Sequence, residues 1–359
     1  KLGCRVEKAL INSSTIKIKG DPIMASTINN KAHWWEATKD LLTRSKRVED
    51  KELREDFLKY IYEQGKTMTR QQVNEAAKDL HTNREGMAAI VGALVLAGEL
   101  TANDALTLTE KGCMHALRLI RAHRIYEQYL AEHSGYAPSE WHERAHRMEH
   151  RITPDEQERI ASLLGNPLFD PHGDPIPTPS LVVADKGTCG EPIEAQSWWR
   201  ITHVEDDDKQ LFTLIAEKGL TKDSLIFITQ IDNLAMLFDY EGEHFSLPVT
   251  ALEAINMRPV TTAELASMPE AQAQRLVHLK AGEQARIVGL SPACRGALRR
   301  RLLDLGFVKG SVVSIDMPSP MGNPIAYVVR GSAIALRHEQ AKFVLVRKDM
   351  VEVTEEKRQ

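Results

Sequence analysis

Cysteine is scarce and scattered: the four in the chain, Cys4, Cys113, Cys189 and Cys294, form no C-x-x-C pair. That spacing excludes a disulfide framework and a thiolate zinc site, and it fits reduced thiols. Long apolar runs are absent, so no segment is expected to span a bilayer, and no signal peptide is visible. Excess charge is small, -4 over 359 residues. This excludes an overall basic drive toward nucleic acid, so any such contact must rest on a local patch. An opening Met is missing; a chain that starts at Lys1 is expected to be processed or a piece of a longer protein. The remaining composition, 42% hydrophobic and 27% charged, is that of a globular chain with room for two or three cores. A cytoplasmic location is expected, including that of a cytosolic part of a membrane protein.

What is present centres on Trp141-His142-Glu143-Arg144-Ala145-His146-Arg147-Met148-Glu149-His150. Nothing there breaks a helix. On a helix, His142, His146, Glu149 and His150 share one face. Imidazole plus carboxylate suits Mn, Fe, Co, Ni or Zn. A solvated charged face is the bland alternative for any one of these His residues; four ligand types on one stripe favour metal. His142, Glu143 and His146 also match H-E-x-x-H, the metalloprotease pattern with Glu143 as base. The metzincin glycine extension does not follow, and no enzyme is expected.

Residues 1–47 read as a tail or linker, with some helix near Trp34-Trp35. From residue 48 to 66, Leu53, Phe57, Leu58 and Ile61 form an apolar helical face. A second helix runs from Thr69 to Leu80. Thr82 or Asn83 caps a third, which ends at Ala97 before Gly98. Glu99–Thr101 and Leu106–Leu108 are short strands. That order over 48–112 is a winged helix-turn-helix. Thr82, Asn83 and Arg84 are the candidate DNA contacts. The chemistry disagrees with the fold, because after Arg84 the helix offers no donor over several turns and the wing has no cation. A structural module without DNA function therefore stays open beside DNA binding.

Thr109-Glu110-Lys111-Gly112 opens a long helix through Leu130. His123 and Glu127 share a face of it. The loop Ser134–Pro138 leads into the His-rich helix. If the two helices pack as a pair, His123 and Glu127 face His142, His146, Glu149 and His150, which is a paired or binuclear arrangement.

Residues 50–178 resemble the diphtheria toxin repressor and manganese transport regulator family of metal-dependent transcriptional regulators. The carrying runs are Leu108–Gly112, Leu119–Glu127, His146–His150, Gly165-Asn166-Pro167, Asp170–Gly173 and Pro175-Ile176-Pro177. The resemblance implies metal ligands at Asp56, His123, Glu127, His142, Glu149 and His150, and a homodimer formed through region 113–179. Two departures stand out. His146 falls where relatives carry Cys or Glu, and Lys59 falls where manganese sensors carry Glu. Fe(II), Mn(II) and Zn(II) all remain open.

The Pro-rich run 170–179 is a stiff connector, and 181–194 reads as a loop. Two similar units follow, over 195–260 and 274–348. Each reads strand, helix ending at Gly, and further strands, as in a small barrel. Both resemble the SH3-like domain shared by iron-dependent repressors and the ferrous-iron transport protein FeoA, the second more closely. Glu205 and Asp208 fall where the repressor's own third domain supplies ancillary ligands; a solvated turn is the alternative. Arg299-Arg300-Arg301 reads as a solvated helix face, and 349–359 as a charged tail.

The expected fold class is α+β: winged helix-turn-helix, metal-binding and dimerisation helices, then two SH3-like barrels. The leading expectation is a dimeric transcriptional regulator in which a divalent transition metal controls binding to a double-stranded DNA operator. The alternative is the cytosolic metal-sensing region of a metal-uptake transporter, with degenerate DNA binding.

Overall fold

The computed structural model describes residues 48–183, 192–317 and 322–348. The expected helix at Trp34-Trp35, the run through Gly187 and Gly190, Pro320-Met321 and the tail 349–359 lie outside the described residues. The chain divides into units Lys1–Lys51 and Glu52–Gln359. Of the first, residues 48–51 are described, as the opening turn of helix α1 (48–63).

In the second unit, Phe57, Leu58 and Ile61 of α1 are fully buried against helices α2 (Arg70–Asp79) and α3 (Arg84–Leu96). Strand β1 (Thr67–Met68), which periodicity did not reveal, pairs with the wing strands β2 (Leu100–Ala102) and β3 (Leu106–Leu108) in the order β1-β3-β2. Helices α2 and α3 are each started by a side-chain cap. Thr69 and Gln72 form a reciprocal capping box on α2, and the Asn83 carboxamide accepts the Gly86 N–H on α3 at 2.8 Å.

Helix α4 (Glu110–His133) is capped by Thr109 and is the longest described element. Its buried stripe includes the apolar Ala116, Leu119, Ile120 and Ile125, and also His123 and Glu127. Helix α5 (Pro138–Glu149) starts on a proline, whose missing N–H costs nothing at that position. It packs along α4, as the sequence spacing anticipated. Helix α6 (Pro154–Leu163) was not anticipated; Thr153 caps it, and its Ala161 and Ile160 pack against Ile125 of α4 and Ile176.

The two expected repeats share the order of their five equivalent strands. The first consists of β4 (Ser197–Val204), α7 (Lys209–Glu217), β5 (Leu225–Ile231), β6 (Ala235–Tyr240), β7 (Glu243–Pro248) and β8 (Ile255–Pro259), ordered β7-β6-β5-β4-β8. A short helix α8 (Thr262–Ala266) and strand β9 (Gln274–Arg275) lead to the second. That unit is β10 (Gln284–Leu290), α9 (Gly296–Asp304), β11 (Val312–Met317), β12 (Ile325–Val329), β13 (Ser332–Leu336), α10 (His338–Ala341) and β14 (Val344–Arg347), ordered β13-β12-β11-β10-β14-β9. Register shifts recur at equivalent places, at Ile201/His203 and Ile287/Gly289, and at Ile228/Gln230 and Ile315/Met317. Such bulges bend the strands and let a short sheet curl around its own core. The fold is α+β, with SH3-like sheets following the helices. No described helix is long and apolar enough to cross a membrane.

Candidate metal centre

Two ligand clusters form where α1, α4 and α5 meet, and the residues of the His-rich stripe divide between them. Asp56, His146, Glu149 and His150 each place a ligand atom within 4.8 Å of the others. His150 Nε2 lies 3.1 Å from Asp56 Oδ1, and its Nδ1 lies 2.8 Å from Glu55 Oε2. That second carboxylate fixes the ring's orientation, as carboxylates do behind metal-bound imidazoles. His146 Nδ1 sits 3.2 Å from Glu149 Oε1.

The second cluster joins His123, Glu127 and His142, again within 4.8 Å. Glu127 and Asp206 also group with His172, a residue of the Pro-rich connector. His172 Nε2 is 3.5 Å from Glu127 Oε1 and 3.7 Å from Asp206 Oδ2, while His142 Nδ1 is 2.8 Å from Asp206 Oδ2. Glu149 links the two clusters, since its Oε2 is 2.5 Å from His123 Nδ1.

His172 is aimed by its own backbone. The Asp170 carboxylate accepts the N–H groups of His172, Gly173 and Asp174, each at 2.9 Å, and the His172 carbonyl accepts the Val204 N–H of β4 at 2.9 Å. Gly173 has φ +106°, and a Cβ there would lie 2.3 Å from the Thr202 carbonyl oxygen. Only glycine permits both the left-handed turn and this approach of the connector to β4.

The electrostatics call for positive charge. Burial opposes ionisation of Glu149, but the Lys59 ammonium and the imidazoles of His123 and His146 hold its carboxyl well below the usual range. Lys59 Nζ lies 3.2 Å from Glu149 Oε2. Burial would lower His150, yet the Asp56 and Glu55 carboxylates push it up to about 9. Burial would likewise lower His172, yet Glu127 and Asp206 raise it to about 10. His123 differs: burial and the Lys59 charge lower it, so it stays neutral and ready to coordinate.

These residues fit a divalent transition metal. Asp56 Oδ1, Glu127 Oε1 and His172 Nε2 are buried without a well-directed hydrogen bond. All three face the clusters, where charge pairs them: Asp56 with His150 at 3.1 Å and Glu127 with His172 at 3.5 Å. The donors are nitrogen and oxygen with no thiolate, the set that suits Fe(II), Mn(II) and Zn(II).

Other sequence expectations fared differently. Asp208 Oδ1 accepts the Gln210 and Leu211 N–H groups, capping α7. Glu205 groups with Asp206 and Asp207 rather than with the imidazoles. Asp206 and His172 are the residues that sequence reasoning missed. Lys59, noted as a departure, is the partner of Glu149. Asn83 is occupied by its cap, and Arg84 is exposed. The remaining exposed positions of α3, Glu85, Ala88, Ala89, Gly92, Val95 and Leu96, carry no cation.

Residues 109–178 match the family described as iron dependent repressor, metal binding and dimerisation domain, and residues 274–348 match the FeoA domain. A "Probable metal transport system membrane protein" of Chlamydia trachomatis is 38% identical over 71 residues, covering 20% of this chain and 16% of that protein. "Iron-dependent repressor IdeR" of Mycobacterium bovis is 26% identical over 170 residues, covering 43% of this chain and 74% of that protein. The chain thus matches less than a fifth of the first relative's length. A solved "Manganese-dependent transcriptional repressor complex with manganese" is 24% identical with a TM-score of 0.49, covering 57% of this chain and 99% of that one.

Proposed function

For a chain that joins an iron-dependent-repressor metal-binding and dimerisation domain to a FeoA domain, we propose a metal-dependent transcriptional regulator. In this reading, Fe(II) or Mn(II), with Zn(II) as the third candidate, binds the two clusters, and binding sets the affinity of a homodimer for an operator. The observation that carries it is the pair of clusters joined through Glu149. Asp56, His146, Glu149 and His150 would hold one cation; His123, Glu127, His142, His172 and Asp206 would hold the other.

A bound cation supplies positive charge and coordination; no bond in a substrate is made or broken. Asp56 ties α1 to α5, and so fixes the first helix of the DNA-binding fold against the long helices. His172 and Asp206 tie the connector and the first SH3-like unit to α4. The gain in DNA affinity equals the difference in metal affinity between the two arrangements.

Fluorescence anisotropy on upstream and random DNA at low salt, with and without Mn(II), Fe(II) and Zn(II), tests this reading. Metal-dependent binding supports it. Absence of binding, while metal still raises the melting temperature, would redirect the output to a protein. The exposed face of α3, which carries no cation beyond Arg84, favours that second reading, a metal-sensing cytosolic region of a metal-uptake transporter.

A further inference from the structure

The second SH3-like unit touches three of the bodies that contribute to the Glu127 cluster: α4, the connector and the first SH3-like unit. Its α9 meets the C-terminal end of α4 head to tail. Gly296, at φ +61°, opens α9 so close to that end that a Cβ would lie 2.6 Å from the Ser134 carbonyl oxygen. The Arg300 guanidinium donates to the Glu132 carbonyl at 2.7 Å. The last carbonyls of a helix lack intrahelical partners and carry partial negative charge, so a helix N-terminus and a guanidinium both suit them. Arg295 reaches the Pro171 carbonyl at 3.5 Å and the Thr221 hydroxyl at 3.3 Å, beside His172 and on the first SH3-like unit respectively. Arg275, ahead of β10, pairs with Glu241 at 2.9 Å and Glu243 at 2.6 Å of that same unit. The cleft where these bodies meet, lined by Trp141, His172, Phe212 and Arg295 among others, holds about 50 Å³. That is room for a few waters, so the cleft is a junction between modules and not a pocket for an organic ligand.

We propose that the second SH3-like unit is a positioning clamp on the metal centre: seated on the end of α4, on the connector and on the first SH3-like unit, it holds Glu127, His172 and Asp206 at the spacing that accepts a cation. Arg295, Gly296 and Arg300 are positioning residues, not ligands. Because binding linkage is reciprocal, a cation at this cluster also tightens the docking of the unit. The inference rests on the two-cluster reading, and it separates from that reading because, among the described residues, the contacts of this unit reach α4, the connector and the first SH3-like unit and not the Asp56 cluster.

The test is Mn(II) binding by the full chain, read from free Mn(II) by electron paramagnetic resonance. The two clusters are distinguished in His172→Ala and His150→Ala backgrounds. Arg300→Ala, an exposed change that spares the core, and Gly296→Val are expected to weaken the Glu127 cluster by up to about tenfold, acting through the seating of α4 and not on a ligand directly. The Asp56 cluster should stay within about twofold, since Asp56, His146 and His150 lie on α1 and at the end of α5 and not on the elements that carry the seat of this unit. Hydrogen exchange supplies a second readout: Mn(II) should slow exchange in 296–304 of the wild-type chain but not in His172→Ala. Unchanged Mn(II) affinity in both variants, or loss shared equally by both clusters, would overturn the clamp while leaving the two-cluster reading in place. No Mn(II) binding by the wild-type chain would overturn both.

Discussion

Lys59 is the side chain that most restrains the metal centre. Its ammonium sits on the carboxylate that both clusters share, and burial leaves little water to screen it. Two unit charges about 4 Å apart interact by about 4 kcal/mol near a protein surface, so a cation beside Glu149 must work against Lys59. Lys59→Met is expected to tighten Mn(II) binding by at least about tenfold, as measured by equilibrium titration; equal or weaker binding would remove Lys59 from the account. His150 sets the pH response. Its pKa is raised from 6.5 to about 9 in the metal-free fold. The stability it contributes is therefore complete below 6.5 and lost as pH rises through about 9. Coordination needs the neutral imidazole, so affinity runs the other way. The rise in melting temperature caused by Mn(II) should be larger at the alkaline end of that window than at pH 6.5. At this scale the sequence was legible where ligands lay on one helix face. His172 lay in a run singled out for its resemblance, yet carried no helical period that would aim its ring. Asp206 became a candidate only once β4 had placed the start of the acidic run opposite Glu127.

Helix α3 holds the disagreement between fold and chemistry. Its N-cap is sound, and Asn83→Ala is expected to cost about 1 kcal/mol in denaturant unfolding. Its exposed face, however, presents Ala88, Ala89 and Gly92 where a groove-reading helix presents donors. Any DNA affinity must then come from a few phosphate contacts. Arg84→Ala should lower binding to all sequences alike and reduce the salt slope by about one, read from anisotropy across a salt series. A loss confined to one operator sequence would show base reading by Arg84 instead. Helices with an apolar stripe, such as α2 and α4, were readable to within a few residues. Helix α6 went unread although the capping box of Thr153 and Glu156, Pro154 in the first turn and the apolar Ile160-Ala161 all mark it.

For the whole molecule, the repeat of strand, helix and Gly announced two like units, and the order their five equivalent strands share follows from it; β9 adds a sixth strand to the second sheet. Their arrangement was not legible. The second unit docks on the carbonyls of Pro171, Glu132 and Ser134, and backbone carbonyls leave no mark in sequence. Arg300, which reads as a solvated cation, is one of the groups that make the contact. The account places Glu149 at the centre of this assembly, shared between two cation positions. The most direct measurement is a Mn(II) titration of the Lys59→Met chain against the same chain carrying Glu149→Gln, a pair in which no ammonium is left unpaired. The account predicts two Mn(II) per chain in the first, and weakening of both positions by about tenfold or more in the second. A Glu149→Gln chain that still binds two Mn(II) with unchanged affinity would contradict it.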